Sequence, residues 1–332
     1  MKFKAYKTIA LASTMIFTTM FNYSYAGLVT FDSGDLYVSA NQSGSAIYDI
    51  SSGGDFTNAV KFADGGGLHN RNLGQMTWSQ DLSQMYTTNY SGGSIFSVNP
   101  DGTSQLYANV SSPVGIATTK DNRILVLSYP STVYDITDAN NITTFATIPG
   151  SSRNMKVLPS GEILVASSNG TVFDIQNGTA VQYAKINGIS SSYLGDIDYD
   201  NQGNLFVTGG FGSAHNIFDI TGGGIFDTSD IFATIINPSN SGSAFGLAIN
   251  QITNQMLLAP LSTNYILDIT AGGNIDASLQ VNKFAYNMPI TTDMAIDFVP
   301  YIESQKVPEP STLAIFALGV IGLTSRRFRK QS

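Results

Sequence analysis

The sequence predicts an all-β fold: a six-bladed β-propeller of four-stranded antiparallel blades, flanked by a hydrophobic helix at each end. Three observations lead to this prediction. The 332-residue chain contains six copies of one unit, it has 32 glycines and no cysteine, and both of its ends are apolar segments next to basic residues. A domain without disulfides needs a large hydrophobic core, and about 280 residues between the two ends can supply one.

The N-terminal segment has the three parts of a signal peptide. Three lysines lie within the first seven residues, residues 9–21 are mostly apolar, and small residues precede Gly27. We therefore expect residues 1–26 to form a cleavable signal helix, with Gly27 as the mature N-terminus. A retained transmembrane anchor is the alternative, and the short, hydroxyl-containing apolar stretch argues against it.

Six copies of a two-strand unit follow one another along the chain. Each copy holds two short segments rich in β-branched and aromatic residues, and it closes on an aliphatic residue. The closing residues are 48, 38, 39, 45 and 49 residues apart. They are Ile50, Val98, Ile136, Ile175, Ile220 and Ile269. Periods of this length are typical of propeller blades.

Each copy has two further strands. A strand ending in a tight polar turn precedes the pair, and the Gly, Asn, Asp and Ser of these turns favour hairpins. A fourth apolar segment follows the pair. The fourth segments are residues 60–63, 105–108, 144–147, 181–184, 231–234 and 281–284. Four short strands in each period predict a propeller spanning residues 27–300.

A propeller must close without a free edge. The segment 293–298, after the sixth copy, resembles the first strand of each copy. We expect it to complete the first blade, and residues 28–31 are the alternative for this position. A β-sandwich or a parallel β-helix is the alternative fold. The β-helix is disfavoured because its rungs are shorter than these repeats.

The body of the protein is strongly acidic. Residues 27–306 contain 23 acidic and nine basic side chains, a net charge near −14. Nucleic acids and anionic lipids bind through Lys and Arg, so this composition argues against both as partners. Neutral glycans, cations and basic proteins stay open. The absence of cysteine excludes thiolate zinc sites and thiol nucleophiles.

The starts of the inner strands should meet at one mouth of the central channel, where propellers commonly bind ligands. Alignment of the copies places six residues in this column. They are Gln75, Gly115, Asn154, Asp196, Gly246 and Asp293. Asn154, Asp196 and Asp293 carry hard oxygen ligands that could hold a Ca²⁺ ion. The alternative is that these short polar residues end loops, and no other cofactor is predicted.

Residues for acid–base catalysis are sparse. The two histidines, His69 and His215, lie in glycine-rich segments that we expect to be exposed loops, and the body has only two glutamates, Glu162 and Glu303. A lyase or lactonase would need a His/Glu pair or a carboxylate–metal set, and no complete set is present.

An aspartate recurs at one position in five of the six copies. These residues are Asp49, Asp135, Asp174, Asp219 and Asp268. Repetition at one place in the blade indicates an architectural role. We expect these aspartates to make structural hydrogen bonds with a neighbouring turn.

The C-terminal segment has the features of a sorting signal and of a membrane anchor. Pro308, Glu309 and Pro310 precede an uncharged apolar run, and a basic end containing Arg326 and Arg327 follows it. The run is shorter than the roughly 20 residues of a stable membrane span, so it predicts a marginal anchor. The basic end should stay in the cytoplasm. An ordinary core helix is the alternative, and a tight basic cluster disfavours it.

This segment resembles the PEP-CTERM protein-sorting domain of Gram-negative bacteria, also labelled an ice-binding protein C-terminal domain. The resemblance covers residues 307–330 and carries no implication of ice binding. It implies that a membrane-embedded, exosortase-like enzyme recognises Pro308, Glu309, Pro310 and the arginines, and removes the tail. The implied route passes through the inner membrane to the outer cell surface or the extracellular space. The domains are then a signal peptide (1–26), a propeller (27–300), a linker (301–306) and a sorting signal (307–332) with a short transmembrane helix and a basic tail.

The phrase from Ile197 to Val207, a hydrophobic residue, Asp, a turn and Gly-Asn-Leu-Phe-Val, is similar to the repeats of NHL, TolB-like and SMP-30/gluconolactonase-like propellers. These families include enzymes and binding modules, so the fold leaves function open. We interpret the body as a non-enzymatic binding or structural module for exopolysaccharide, a biofilm matrix or another surface component. Loop aromatics such as Tyr90 and Tyr129 could stack on sugars. A metal-dependent lyase or lactonase at the channel mouth is the alternative.

Overall fold

The computed structural model describes residues 29–40, 46–64, 68, 73–189, 194–211, 214–236, 244–260, 263–288 and 295–302. These residues form 26 short strands and two 3₁₀ turns, Thr228–Asp230 and Gln280–Asn282. None of the helices in this part of the chain is long and apolar enough to cross a membrane. The predicted signal helix and sorting helix lie outside the described residues.

The strands follow one another at short intervals. The first thirteen are β1 Leu36–Ala40, β2 Ala46–Asp49, β3 Gly54–Asp55, β4 Leu73–Trp78, β5 Met85–Asn89, β6 Ser94–Val98, β7 Ser104–Asn109, β8 Pro113–Thr118, β9 Ile124–Ser128, β10 Thr132–Asp135, β11 Thr143–Thr147, β12 Ser152–Val157 and β13 Ile163–Ser167. The other thirteen are β14 Thr171–Gln176, β15 Thr179–Ile186, β16 Ile197–Tyr199, β17 Leu205–Phe211, β18 Ala214–Asp219, β19 Gly224–Phe226, β20 Ile231–Ile236, β21 Ala244–Ile249, β22 Met256–Pro260, β23 Ile266–Asp268, β24 Gly273–Asp276, β25 Lys283–Tyr286 and β26 Ala295–Phe298.

Successive strands pair as antiparallel hairpins and build repeated units. The hydrogen-bonded orders are β26-β1-β2, β4-β5-β6-β7, β8-β9-β10-β11, β12-β13-β14-β15, β16-β17-β18-β20 and β21-β22-β23-β25. A parallel bridge between Thr147 and Thr179 joins β11 to β15. The second strands of several units are buried on both faces, as in β5, β9 and β13.

The units form a nearly closed ring among the described residues. The first strand of each unit contacts that of the next in the order β26, β4, β8, β12, β16, β21 and back to β26. Hydrophobic clusters fill the spaces between neighbouring units. In one of them, Val38 of β1 packs in the same cluster as Leu257 of β22. The core is therefore divided among pairs of sheets, which is the packing of a propeller.

The ring closes through the last described strand. β26 pairs antiparallel with β1, with Val38 opposite Ile296. The prediction that the segment 293–298 supplies this inner strand is confirmed for residues 295–298. The alternative for residues 28–31 is wrong for its described part, since Phe31 lies outside any strand and its N–H donates to the Leu82 carbonyl at 2.9 Å.

Two of the predicted fourth strands differ from the structure. Ala63 makes only an isolated bridge to Ile47, so residues 60–63 form no strand. The turn Gln280–Asn282 delays β25, which begins at Lys283.

Three parallel strands were missed by the prediction of purely antiparallel blades. β3, β19 and β24 pair with β25, β15 and β20, the outer strands of the preceding units. A glycine with positive φ precedes each of them, and a Cβ at Gly223 would lie only 2.7 Å from the Tyr183 carbonyl oxygen. Only glycine permits both this backbone angle and this approach.

Candidate functional site in the central channel

Polar side chains on the inner strands bind the backbone of the next inner strand. The Gln75 side-chain oxygen accepts from the Ile116 N–H at 2.9 Å, and the Thr77 hydroxyl accepts from the Thr118 N–H at 3.1 Å. These strands are the inner edges of their sheets, and buried edge N–H groups need partners. The side chains therefore tie neighbouring units together around the channel.

Asp196, which was predicted as a metal ligand, ties two other neighbouring units together in the same way. It lies just before β16 with 5% exposure, and its Oδ2 accepts from the Leu247 N–H at 3.0 Å. Its Oδ1 accepts from the Ile197 N–H at 2.9 Å. Burial raises the pKa of the Asp196 carboxyl well above its ordinary value, against the opposing effect of the Leu247 hydrogen bond.

Asn154, the second predicted ligand, is also engaged. Its Oδ1 accepts from the Gln75 amide at 2.5 Å, across the channel from β4 to β12. Asp293, the third, lies outside the described residues. Within the described part of the chain, no group of three His, Cys, Asp or Glu side chains is arranged to hold a metal. The Ca²⁺ site therefore stays a prediction. β12, which carries Asn154, and β16, which follows Asp196, are neighbouring strands.

A buried ion cluster that the sequence analysis missed lies further along the same strands. The Lys156 Nζ on β12 is 2.9 Å from Asp198 Oδ1 on β16. It is also 3.3 Å and 3.4 Å from the two oxygens of Asp297 on β26. Asp198 Oδ2 accepts from the Ile249 N–H at 2.7 Å. One lysine thus joins two carboxylates from different units.

Burial and charge work against each other in this cluster. Burial alone would lower the pKa of Lys156, and the carboxylates of Asp198 and Asp297 raise it well above its ordinary value. Burial raises the pKa of Asp297 to about 7, with Lys156 opposing the shift. Burial raises the pKa of Asp198 as well, again against Lys156. One ammonium therefore cannot fully compensate two buried carboxylates.

The sequence did contain a signal for this cluster. In the alignment of inner strands, the column two residues after the predicted metal column holds Thr77, Ala117, Lys156, Asp198, Ala248 and Ala295, and Asp297 lies two residues further along its strand. Alternate residues of a strand share a face, so the lysine and the two aspartates share the channel face of their strands and predict an ion cluster inside the ring.

A cavity of about 370 Å³ adjoins the cluster and extends from Gln75, in the predicted metal column, to the ends of the inner strands. Lys156, Asp297 and Tyr199 line one side of it. The Lys156 Nζ lies 5.9 Å from the centre of the Tyr199 ring, and burial raises the pKa of Tyr199 to about 12.

The expectation of an exposed loop histidine is wrong for His215. This residue lies on β18 and is 3% exposed, because the glycine-rich segment around it continues as two paired strands. His69 lies outside the described residues. Glu162 follows the turn between β12 and β13, as predicted, and accepts from the Ser160 hydroxyl at 2.6 Å.

The repeated aspartates make structural hydrogen bonds, which confirms that prediction. Asp135 Oδ1 accepts from the Thr137 hydroxyl at 2.6 Å, and that hydroxyl accepts from the Ile124 N–H at 3.0 Å. The same relay recurs at Asp49, Asp219 and Asp268. Asp174 instead accepts from the Gln176 side chain at 2.7 Å.

The solved structures that this fold resembles are NHL- and SMP-30-like β-propeller proteins. A chain from a nidogen/laminin complex is similar with a TM-score of 0.58 and 11% identity, over 80% of this chain and 99% of that one. A Bacteroides caccae protein of unknown function has a TM-score of 0.52 and 12% identity, over 81% and 100%. A Xanthomonas campestris gluconolactonase has a TM-score of 0.50 and 9% identity, over 76% and 93%. Similarity at such identities shows the fold.

The tail defines the sorting class. Residues 306–330 match the PEP-CTERM protein-sorting motif, so this chain carries a signal for exosortase processing and for sorting to the cell surface. No curated protein matches the chain as a whole.

Proposed function

We propose that this protein is an exported, six-bladed propeller that acts at the cell surface as a binding or structural module for exopolysaccharide. The signal peptide 1–26 directs export, the propeller spans 27–300, and the linker 301–306 leads to the sorting signal 307–332. The apolar run of the tail crosses the inner membrane in transit, and an exosortase-like enzyme then releases the body.

The observation that carries the proposal is the arrangement of polar groups in the channel. Gln75, Asn154, Asp196, Asp198 and Lys156 bind one another or the strand backbone. Such bonds favour a scaffold role for these groups over catalysis. The acidic body favours neutral glycans, and a neighbouring fold taken from a nidogen/laminin complex supports propellers of this kind as members of complexes.

The sorting part of the proposal is tested in the tail. We expect Glu309→Ala to leave the protein with its tail intact in the membrane fraction, because the exosortase no longer recognises the motif. Glu303→Ala in the linker is the matched control and should be processed normally. Cell fractionation and the intact mass of the protein measure both. Normal processing of Glu309→Ala would contradict exosortase recognition of this motif.

The binding part is tested with the exported protein and the exopolysaccharide of the producing cells. We expect the two to cosediment at physiological salt, with and without Ca²⁺. A neutral glycan bound through hydrogen bonds and stacking should show little dependence on ionic strength. If the protein stays in the supernatant under all these conditions, the binding proposal fails.

The second candidate is a metal-dependent lyase or lactonase at the channel mouth, with Ca²⁺ held by Asn154, Asp196 and Asp293. The raised pKa of the buried Asp196 carboxyl favours it, since perturbed carboxyls concentrate at active sites, and so does the gluconolactonase among the structural neighbours. Asp196→Asn together with Asp293→Asn should then abolish both metal content and lactone hydrolysis. Wild-type protein that binds no metal would exclude this candidate.

A further inference from the structure

The cavity at the ends of the inner strands is closed on its deep side. Gln75 lies at this depth and connects three inner strands: it accepts from the Ile116 N–H and donates to Asn154 Oδ1 and to the Met155 carbonyl, the last at 3.0 Å. These bonds run across the channel. A ligand entering from this side therefore meets a floor, so the cavity suits the end of a chain.

The walls offer hydrogen bonds and aromatic surface without a large net charge. The charged side chains around the cavity are Lys120, Lys156, Asp198 and Asp297, two of each sign, which favours a neutral ligand over an anion or a cation. Tyr199 and Gln251, whose side chains are hydrogen-bonded to each other, add polar groups, and Tyr301 adds an aromatic ring at the rim. Neutral polyhydroxylated rings need this combination of donors, acceptors and aromatic faces.

Trp78 lies beside the cavity. It lines the cavity and is 3% exposed, and its ring packs against Phe31 and Tyr37 in the core. Its emission can therefore respond to a ligand in the cavity.

The cavity also lies where the chain leaves the propeller. Pro300, Tyr301 and Ile302 line it, and the sorting motif begins at residue 306. A ligand bound here lies beside the segment that leads to the membrane-directed tail.

We propose that this cavity is a binding site for one neutral sugar residue at the end of a glycan chain. The inference rests on the proposed polysaccharide function and gives it a location, at the end of the channel where the inner strands end. Its volume, about 370 Å³, is in the lower part of the roughly 300–1,000 Å³ range of small-molecule sites.

The chain has a single tryptophan, so all tryptophan emission comes from Trp78, which lines this cavity. The exported protein is titrated with neutral hexoses and N-acetylhexosamines and, separately, with the producer's exopolysaccharide. We expect a change in Trp78 emission with the polysaccharide and with at least one sugar. Tyr301→Ala and Gln251→Ala should each weaken the sugar affinity about tenfold, the loss of one good contact. Leu106→Ala removes an exposed side chain on the outer strand β7, away from the cavity, and should leave the affinity unchanged.

The possible outcomes distinguish failure of the cavity site from failure of the proposed function. Cosedimentation with the polysaccharide that is equal in all variants, without a Trp78 response, overturns the cavity site and leaves the proposed function standing. A Trp78 response to a sugar, lost in the two cavity variants, without polysaccharide binding overturns the proposed function alone. Absence of both responses overturns both. Circular dichroism and thermal unfolding confirm that each variant is folded.

Discussion

Lys156 shows how a single side chain can hold distant parts of a ring together. It extends from β12 to Asp198 on β16 and to Asp297 on β26, which are 42 and 141 positions away in the sequence. The lysine and Asp198 are almost completely withdrawn from water, which penalises both charges. Their attraction offsets this cost only in part, and burial, together with the neighbouring charge of Asp198, raises the pKa of Asp297 to about 7.

This cluster makes stability depend on pH in a defined direction. The folded protein keeps the Asp297 proton up to pH about 7, whereas an unfolded aspartate loses it near pH 4. Between these values the native state binds more protons, so the free energy of unfolding should fall as pH rises, by up to about 1.4 kcal/mol per pH unit. Asp297→Asn should flatten this slope. Urea unfolding between pH 4.5 and 7.5 measures it.

The pKa shifts of other carboxyl groups do not reverse the direction of this pH dependence. Burial raises the pKa values of Asp196 and Asp198, and so adds to the same slope. Hydrogen bonds from serine side chains lower the pKa of Asp81. The contribution of Asp81 to the pH dependence of stability therefore lies below pH about 4. A free energy of unfolding that rises with pH across the measured window would contradict the assignment to the buried carboxyls.

At the scale of the element, two short sequence patterns recur in several units. The Asp-x-Ser/Thr relay fastens the end of the third strand to the start of the second, and its structural role was anticipated because the aspartate repeats. A Gly-Gly step follows the relay in three units. Glycines such as Gly223 and Gly272 let the next backbone approach the aromatic residue of the preceding outer strand, and this contact creates the parallel edge strands.

The relay gives a test at this scale. Thr137→Val keeps the side-chain shape but removes the hydroxyl that accepts from Ile124 and donates to Asp135. We expect the free energy of unfolding to fall by about 1 kcal/mol, the net value of such bonds. Thr144→Val on the exposed face of β11 is the control and should change it by less than about 0.5 kcal/mol. Chemical denaturation compares the two, and equal effects would show that the relay adds no stability.

At the scale of the whole molecule, closure of the ring joins the two ends of the propeller. β26 completes the sheet of β1 and β2, and β3 adds in parallel to β25 of the last unit. Val299 donates to the Asp35 carbonyl and accepts from the Gly34 N–H, at 2.8 and 2.9 Å. The first and last units therefore depend on each other.

The contribution of ring closure to stability should be measurable as a change in the free energy of unfolding. Ile296→Ala removes a residue that is 2% exposed in the cluster between the first and last units. We expect a loss of about 2–5 kcal/mol, the range for such truncations in a packed core. Ile252→Ala, at a side chain that is 51% exposed, should cost less than about 0.5 kcal/mol. Calorimetry measures both. A loss for Ile296→Ala no larger than that of the control would show that β26 does not hold the ring closed.

Much of the fold could be predicted because its causes are local and repeated. The six copies, their polar turns and the closing segment 293–298 all follow from alternating hydrophobicity and turn residues. Predictions were less successful where neighbouring units decide the outcome. His215 is buried because β17 and β18 extend into the glycine-rich segment, and residues 60–63 lack a strand although they are apolar enough to form one.

The sequence by itself determined the repeat, the acidic body and the sorting motif at its end, since these depend on composition, spacing and short linear patterns. The tertiary structure decided which polar residues meet in the channel. Asp196 proved to cap the backbone of the next unit, and Lys156 joined Asp198 to Asp297. Partners so far apart in the sequence come together only when the ring closes, because their pairing depends on the register between neighbouring units.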